Sequence, residues 1–156
     1  MDDERRAPDE AVKARRDGHP SSMDALFRPR SVAVIGASRR RNTIGREILR
    51  NLVEFGFTGP VYPVNPTADS VNSMRAYPDL ESIPGPVDLA IVTVPRDLVL
   101  DVVDDCGRKG VRGIVTITAG FKEVDAEGEA LERRLREKLD SYGIRMVGPN
   151  CMGIVN

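Results

Sequence analysis

With 156 residues, of which 40% are hydrophobic and 30% charged, the chain is expected to form one domain of ordinary size with a buried core. A net charge of −1 creates no overall field that would attract nucleic acid, so any anion site must be local. An aromatic content of 4% without tryptophan also argues against a surface that stacks on single-stranded nucleic acid. The apolar runs are far shorter than the roughly 20 residues that span a bilayer, the charged N-terminus does not resemble a secretory signal, and the two cysteines make no disulfide framework. We therefore expect no membrane partner and a cytoplasmic location.

Residues 1–22 mix acidic and basic side chains and contain almost no large apolar ones. Such a segment cannot bury enough surface to offset its chain entropy, so we expect a disordered tail followed by a folded domain over residues 23–156. A basic arm is the alternative, but the acids are interleaved with the bases. The single histidine, His19, lies in this tail, and no His, Cys and Asp residues have metal-ligand spacing. We assign no catalytic and no metal-binding residue.

Beyond the tail, short β-branched apolar runs predict strands, and apolar residues at helical spacing predict the helices between them. The expected elements are a turn at 24–27, a strand at 31–35, a helix at 44–55, a strand at 61–64, a turn-rich stretch at 67–86 with a helical turn around 80–83, a strand at 87–94, a helix at 98–106 that ends before Gly107 or Gly110, a strand at 113–118, a helix at 127–142 and a strand at 144–147. The side chains expected to point inward are Leu98, Val99, Val102, Val103 and Cys106 on one helix and Leu131, Leu135 and Leu139 on the last.

Strands alternate with helices, and several strands are apolar throughout, which is typical of a parallel sheet covered on both faces. We therefore predict an α/β, Rossmann-like open parallel sheet in a single domain. In such sheets, ligands bind outside the carboxyl ends of the strands. The segments that follow the five predicted strands are 36–45, 65–67, 95–96, 118–121 and 148–153.

The first of these segments, residues 36–45, has the sequence GASRRRNTIG. A loop that starts with glycine between a strand and a helix directs backbone N–H groups and a helix N-terminus at an anion. Ser38 and Thr43 add hydroxyl donors, and the arginines at 39–41 add positive charge. We predict an anion site here; the alternative is an ordinary connecting loop with solvated arginines.

This loop departs from the dinucleotide fingerprint, in which G-x-G-x-x-G is followed about 20 residues later by an acid for the ribose. Gly36 has no glycine two residues later, and the second strand ends in Asn65-Pro66 without a carboxylate. An NAD site would lack both the close backbone approach and the ribose acceptor. The arginines suit a 2′-phosphate, so these departures weaken the case for NADP as the ligand without excluding it. An NAD(P)-binding domain of redox or regulatory function is therefore the alternative.

Several residues at the predicted ligand edge also have a purely structural interpretation. Asn65 either faces a ligand or caps the following turn. Pro95 either ends a buried strand or forms a flat wall beside an adenine. Cys151 lies in a loop flanked by Gly and Pro without a base to activate it, so we favour a packing or hydrogen-bonding role. Cys106, on an apolar helix stripe, is expected in the core.

Five motifs occur around the predicted strands: FRPRSVAVIGAS at 27–38, VYPVNP at 61–66, VDLAIVTVP at 87–95, ITAGF at 117–121 and GPNCMG at 148–153. Together they resemble the N-terminal CoA-binding domain of NDP-forming acyl-CoA synthetases. The same domain is found in the succinyl-CoA synthetase alpha subunit and in multidomain bacterial protein lysine acetyltransferases. The resemblance covers residues 24–156, and it implies that coenzyme A or acyl-CoA is the cofactor.

The resemblance also implies which segments hold the cofactor. Residues 38–45 would cradle the CoA phosphates, and 65–66 would border the nucleotide. Residues 94–95 and 117–120 would line the adenine and pantetheine path, and 150–151 would lie at the thiol end. The implied CoA-binding residues are Gly36, Ala37, Ser38, Arg39, Asn42, Thr43, Ile44, Gly45, Asn65, Pro66, Val94, Pro95, Ile117, Thr118, Ala119, Gly120, Asn150 and Cys151.

Two departures from the family pattern matter. Family members often place a lysine just after the Asn-Pro pair, whereas Thr67 and Ala68 follow here, and we expect the arginines at 39–41 to compensate. The synthetases also relay phosphate through a histidine in a second domain and bind nucleotide in an ATP-grasp module, and neither is present here. We expect a fragment of a longer acyl-CoA synthetase or acetyltransferase, with an ATP-grasp, phosphohistidine or acetyltransferase module as its partner, that alone binds CoA without turnover. A free-standing CoA-binding regulatory protein is a further alternative.

Overall fold

The computed structural model describes residues 22–121 and 126–152. Its helices are α1 (Ser22–Phe27), α2 (Ile44–Glu54), α3 (Val99–Lys109), which follows a short 3₁₀ helix at Arg96–Leu98, and α4 (Ala126–Tyr142). Its strands are β1 (Val32–Ile35), β2 (Val61–Val64), β3 (Ser70–Val71), β4 (Met74–Arg75), β5 (Leu89–Val92), β6 (Gly113–Thr116) and β7 (Arg145–Val147). The tail predicted at 1–22 lies, apart from Ser22, outside the described residues. Within the described ranges, no helix has the length and apolar character needed to cross a membrane.

Five strands form one parallel sheet in the order β2-β1-β5-β6-β7. Strand β1 pairs with β2 on one side and with β5 on the other, so that Val32 lies opposite both Val61 and Leu89. The chain first builds away from β1 in one direction and then crosses over to build in the other. This reversal creates a switch point between the carboxyl ends of β1 and β5. The predicted α/β class with an open parallel sheet is confirmed.

Alternate side chains of the central strands enter two cores on opposite faces of the sheet. Along β1, Val32 and Val34 belong to a cluster with Leu49 of α2, whereas Ala33 and Ile35 belong to a cluster formed with α3 and α4. All four residues of β1 are buried. Burial on both faces explains why this strand is an apolar run rather than an alternating pattern.

Several predicted boundaries differ from the structure. The strands predicted at 87–94 and 113–118 end at Val92 and Thr116, so the residues after them belong to loops at the carboxyl edge. The turn predicted at 24–27 is part of α1, and Leu26 in it is buried. Helix α1 packs against β6 and β7, and this packing buries its apolar side chains. The sequence pattern did not show this contact.

The prediction that Leu98 points inward is wrong, because its side chain is 46% exposed while Leu100 is buried. The 3₁₀ turn at 96–98 delays α3, and the inward stripe starts one residue later, at Val99. The helix ends at Lys109, and the next residue, Gly110, has the left-handed backbone (φ 81°) typical of a helix C-terminus. The buried residues of this stripe include Val99, Val103 and Cys106, as predicted.

The stretch predicted to be turn-rich contains a hairpin, β3-β4, that was not predicted. Val71 pairs with Met74, and the two residues between them, Asn72 and Ser73, have φ values of 49° and 63°. Two consecutive positive φ values are the backbone of a type I′ turn. Serine is not a marker of that turn, and two-residue strands are too short to show alternation, so the hairpin has no clear local signal.

Candidate functional site

Hydrogen bonds connect neighbouring loops along the carboxyl edge of the sheet. Asn65, after β2, donates from Nδ2 to the carbonyl of Ala37 in the loop after β1 (2.5 Å). Thr118, after β6, donates from Oγ1 to the carbonyl of Val94, after β5 (2.6 Å). The carbonyl of Thr118 in turn accepts the N–H of Asn150, after β7 (2.9 Å). These bonds join the loops pairwise on either side of the switch point.

Gly36 and Gly45 let the first loop pack directly against the end of β5 at the switch point. Gly36 has φ +89°, and a Cβ there would lie 2.8 Å from Thr93 Oγ1. A Cβ at Gly45 would lie 2.8 Å from the Gly36 carbonyl oxygen and 2.9 Å from Thr93 Oγ1. Thr93 is held in place because its Oγ1 donates to the Ile35 carbonyl (2.9 Å). The loops after all five parallel strands therefore form one continuous edge.

The two hydroxyl groups of the first loop have different roles. Ser38 Oγ accepts the N–H of Arg40 (3.1 Å), which leaves its own proton available to donate. Thr43 Oγ1 instead donates its only proton to the Arg40 carbonyl (3.1 Å). Ser38 therefore fits the predicted role of donor to an anion, whereas Thr43 in this conformation stabilises the loop. Asn42 between them has φ 61°, which turns the chain toward α2.

The N-terminus of α2 follows this loop directly. Thr43 is the residue before the helix, and no side chain in the described part of the chain caps it. The first backbone N–H groups of an α-helix have no partner within the helix, and the helix dipole adds partial positive charge at that end. With the arginines at 39–41 all exposed beside it, this end of α2 favours a bound anion.

Asn65 is held by the protein itself. Its Oδ1 accepts the N–H groups of Thr67 and Ala68 (both 2.9 Å) and the Thr67 hydroxyl (3.1 Å), while Nδ2 donates to Ala37. The Asn65 side chain therefore caps the turn that follows it, which is the structural role considered for it above. Asn65 shapes the edge by joining the loops after β1 and β2, and the exposed Pro66 and Thr67 present the surface there.

The loops after β5 and β6 form the other half of the edge. Val94 and Ile117 are half-buried, whereas Pro95 and Ala119 are exposed, so this stretch offers an apolar rim. Next to this rim, Arg96 donates from Nη1 to the carbonyl of Gly120 (2.7 Å). Its Nη2 lies 3.7 Å from Oε2 of Glu127 on α4. Arg96 fixes the loop after β6 against α4.

The two cysteines differ in environment. Cys151 Sγ lies 3.3 Å from the Thr116 carbonyl and 3.7 Å from the Val147 carbonyl and packs against the apolar cluster beneath the first loop. The favoured packing and hydrogen-bonding role of Cys151 fits these contacts. Cys106 is fully buried, and burial raises the pKa of its thiol far above the usual range. Cys106 is therefore an inert core residue.

Thr93 and Arg96 have positioning roles that the sequence did not indicate. Two glycines nine positions apart predict a close neighbour, but identifying Thr93 requires knowing that β1 and β5 are adjacent. Arg96 follows Pro95 in an exposed-looking turn, and its partners lie more than 20 residues away. In the described ranges, no group of three His, Cys, Asp or Glu side chains could hold a metal ion.

An open parallel sheet with a glycine loop and an uncapped helix N-terminus at its switch point defines a Rossmann-type nucleotide-binding domain. A family model described as a CoA binding domain matches residues 30–156. The chain belongs to this CoA-binding domain family. Coenzyme A is confirmed as the cofactor, and the NAD(P) alternative is not favoured.

Curated relatives and solved structures agree with this assignment. The chain is 47% identical over 134 residues to the alpha subunit of ADP-forming acetate–CoA ligase II of Pyrococcus furiosus, covering 86% of this chain and 29% of that protein. It is 42% identical over 131 residues to the ADP-forming 4-hydroxybutyrate–CoA ligase of Nitrosopumilus maritimus, covering 84% of this chain and 19% of that protein. The dinucleotide-forming acetyl-coenzyme A synthetase 1 of Ca. Korarchaeum cryptofilum, solved with phosphate and ADP, is 49% identical with a TM-score of 0.80, covering 84% of this chain and 28% of that chain. The chain thus spans less than a third of the length of each of these proteins.

Proposed function

We propose that this chain holds CoA for a larger NDP-forming acyl-CoA ligase, and that it does so along the carboxyl edge of its sheet. The observation that carries the proposal is the continuous edge centred on Gly36 and Thr93, with the uncapped N-terminus of α2 beside it. A pyrophosphate bears the negative charge that such a helix end favours. The names of the relatives favour ADP as the nucleoside diphosphate formed by the whole protein.

The order of the loops along the edge gives CoA a direction. The pyrophosphate would lie on the loop 38–45, with the adenosine toward the turn at 65–66. The pantetheine arm would cross the apolar rim at 94–95 and 117–120. The thiol would end near 150–151, where the Cys151 side chain supports the loop rather than reacting. These placements are supported by the contacts that join the loops in this order.

The acyl group of the whole ligase is set elsewhere. Two relatives named for different acids, acetate and 4-hydroxybutyrate, are 47% and 42% identical to this chain. Similarity of this degree to ligases named for different acids fits a domain that handles the component they share, which is CoA. We propose that an ATP-grasp module and a phosphohistidine domain, or an acetyltransferase module, supplies the remaining chemistry.

We also propose that residues 23–156 fold as one unit preceded by the tail 1–22. The family match begins at residue 30, but Ala25 and Leu26 of α1 are already buried against the sheet. Limited proteolysis is expected to cleave within the tail and to leave α1 attached to the domain. Free cysteines are ordinary in a reducing compartment, and the cytoplasm is the location we propose.

Calorimetric titration of the full chain with CoA, acetyl-CoA, NAD and NADP tests the proposed ligand. We expect CoA and acetyl-CoA to bind with similar affinity, because the nucleotide that they share contacts the edge. NAD is expected to bind at least about tenfold more weakly, because the chain lacks the carboxylate that binds the NAD ribose. Tighter binding of NAD than of CoA would overturn the proposal.

A second test concerns turnover. Acyl-CoA synthesis through a phosphoenzyme needs a nucleophile that accepts phosphate and a site for nucleotide and metal. The only histidine, His19, lies in a tail rich in charge. The chain mixed with labelled ATP, acetate and CoA is expected to give neither phosphoprotein nor acetyl-CoA. Labelling of His19 at one phosphate per chain, or steady production of acetyl-CoA, would show a complete enzyme instead.

A further inference from the structure

Arg39 is tied to a part of the chain that local sequence does not connect to it. Its Nε donates to the carbonyl of Ser70 in strand β3 (3.2 Å), 31 residues away. Ser70 begins the hairpin that follows the turn at 65–68, and that turn follows β2. Because Tyr77, just after this hairpin, forms a bridge with Val64 at the carboxyl end of β2, the Arg39 guanidinium is held near that end, although the residue itself belongs to the loop after β1.

Two further bonds make this arrangement a three-way clamp. The carbonyl of Arg39 accepts a hydrogen bond from Nη1 of Arg46 in α2 (2.5 Å). The carbonyl of Arg46 accepts one from Nδ2 of Asn72, at the tip of the β3-β4 hairpin (3.3 Å). The loop, the helix and the hairpin each contribute to the clamp, so both the backbone and the side chain of Arg39 are positioned.

The other two arginines of the loop are not positioned in this way. The side chains of Arg40 and Arg41 are exposed, and within residues 22–121 and 126–152 neither has a hydrogen-bond partner. Arg41 lines an open groove of about 500 Å³ between α2 and the β3-β4 hairpin, together with Glu47 and Asn72. Arg39 keeps its two Nη groups free of partners within the same described ranges. It therefore presents a fixed guanidinium with unused donors.

We propose that Arg39 recognises the phosphate on the ribose of CoA, and that the β3-β4 hairpin sets this selectivity by holding the guanidinium at the end of β2. The inference rests on the proposed function. In Rossmann folds the pyrophosphate lies at the helix N-terminus after the first strand, and the ribose lies near the end of the second strand, where an arginine can accommodate a ribose phosphate. A guanidinium offers two parallel N–H groups to phosphate oxygens, and the free Nη groups of Arg39 supply that pair.

The test compares CoA with dephospho-CoA, which lacks only the ribose phosphate, by calorimetric titration of the full 156-residue chain. Charge-assisted hydrogen bonds are strong enough that losing the phosphate, or its partner, is expected to cost about tenfold or more in affinity. Arg39→Ala is expected to lower the affinity for CoA by about tenfold while leaving that for dephospho-CoA within about twofold. The preference of the wild type for CoA should therefore disappear in this variant.

Two further variants separate a contact from a general charge effect. Arg40→Ala removes the same charge from the same loop, and it is expected to weaken both ligands alike, by less than about threefold. Arg46→Ala removes the donor to the Arg39 carbonyl and is expected to lower the CoA preference partially, because Arg46 acts through Arg39. Circular dichroism of each variant checks that the fold is retained.

The titrations distinguish failure of the role proposed for Arg39 from failure of the proposed function. An Arg39→Ala variant that keeps the CoA preference, or that loses equal affinity for CoA and dephospho-CoA, overturns the role of Arg39 and leaves the proposed function standing. A wild-type chain that binds both ligands equally does the same. A wild-type chain that binds neither ligand overturns the proposed function. Complete loss of the preference in Arg39→Ala, partial loss in Arg46→Ala and an unchanged preference in Arg40→Ala are the results that the clamp predicts.

Discussion

Alanine at Gly36 is expected to destabilise the domain through one identifiable neighbour. The φ of +89° already disfavours any residue with a Cβ, by about 1–2 kcal/mol. The added Cβ would also meet Thr93 Oγ1 at 2.8 Å and the Thr93 carbonyl carbon and oxygen at 3.0 Å. Crowding of this kind in a packed site costs about 1–3 kcal/mol. The sum, about 2–5 kcal/mol, is a large part of the 5–15 kcal/mol by which domains are typically stable.

Gly56→Ala is the matched control. Gly56 has a similar φ of +79°, but a Cβ there would have nothing within 4 Å. Both variants gain the same small stabilisation from a stiffer unfolded chain, so that effect cancels in the comparison. The difference between them isolates the contact with Thr93 and is expected to be about 1–3 kcal/mol.

Urea denaturation followed by far-UV circular dichroism measures this difference. With a slope of about 1–3 kcal/mol per molar urea, the midpoint of Gly36→Ala should fall about 1 M below that of Gly56→Ala. Thr93→Ala in the Gly36→Ala background should recover part of the loss, because it removes the nearest clashing atom and leaves the backbone ones. Equal destabilisation by the two glycine substitutions would refute the packing of the first loop on β5.

Three other predictions concern different parts of the fold. The hydrogen bond from Lys138 holds the pKa of Asp104 below its ordinary value of 3.8, so the contribution of this carboxylate to stability is present above that value and is lost as the pH falls through its depressed pKa. Asp104→Asn should therefore destabilise the domain at pH 7, and the gap to the wild type should close in acid. Iodoacetamide, followed by mass spectrometry, should label Cys151 in the folded chain and Cys106 only after unfolding, because burial keeps that thiol neutral and enclosed. Asn65→Ala should cost about 1–3 kcal/mol in urea unfolding, because it removes the acceptor for two backbone N–H groups and the tie to the first loop; an unchanged midpoint would contradict this role.

The amino-acid pattern was sufficient for the order and type of the main elements. Strand β2 runs over 61–64 as predicted, and α2 begins at Ile44 as predicted. These elements are local: each is specified by its own apolar spacing and by the Gly or Pro that ends it. The edge of the sheet that we propose for the ligand also follows from the pattern, because parallel strands bring their carboxyl ends to one edge.

Other features could not be predicted because they depend on neighbours that are distant in sequence. The 3₁₀ turn before α3 shifted the buried stripe away from Leu98. The β3-β4 hairpin has strands of only two residues, which are too short for a periodic signal. Such elements are stabilised by the contacts they make in the folded chain, and a single sequence does not display those contacts.

The sequence by itself determined that this protein is an α/β domain with a glycine- and arginine-bearing loop at the carboxyl edge of its sheet, because strand, helix and loop are each encoded by residues within a few positions of one another. Only the tertiary structure decided which neighbours hold the residues of that edge. It placed β1 beside β5, so that Gly36 packs on Thr93, and it assigned the Asn65 side chain to the neighbouring loop. It also distinguished Arg39 from Arg40 by a bond to Ser70. The physical reason is that a hydrogen bond or a close backbone contact is specified by position in space, and the three arginines are equivalent until the hairpin lies beside one of them.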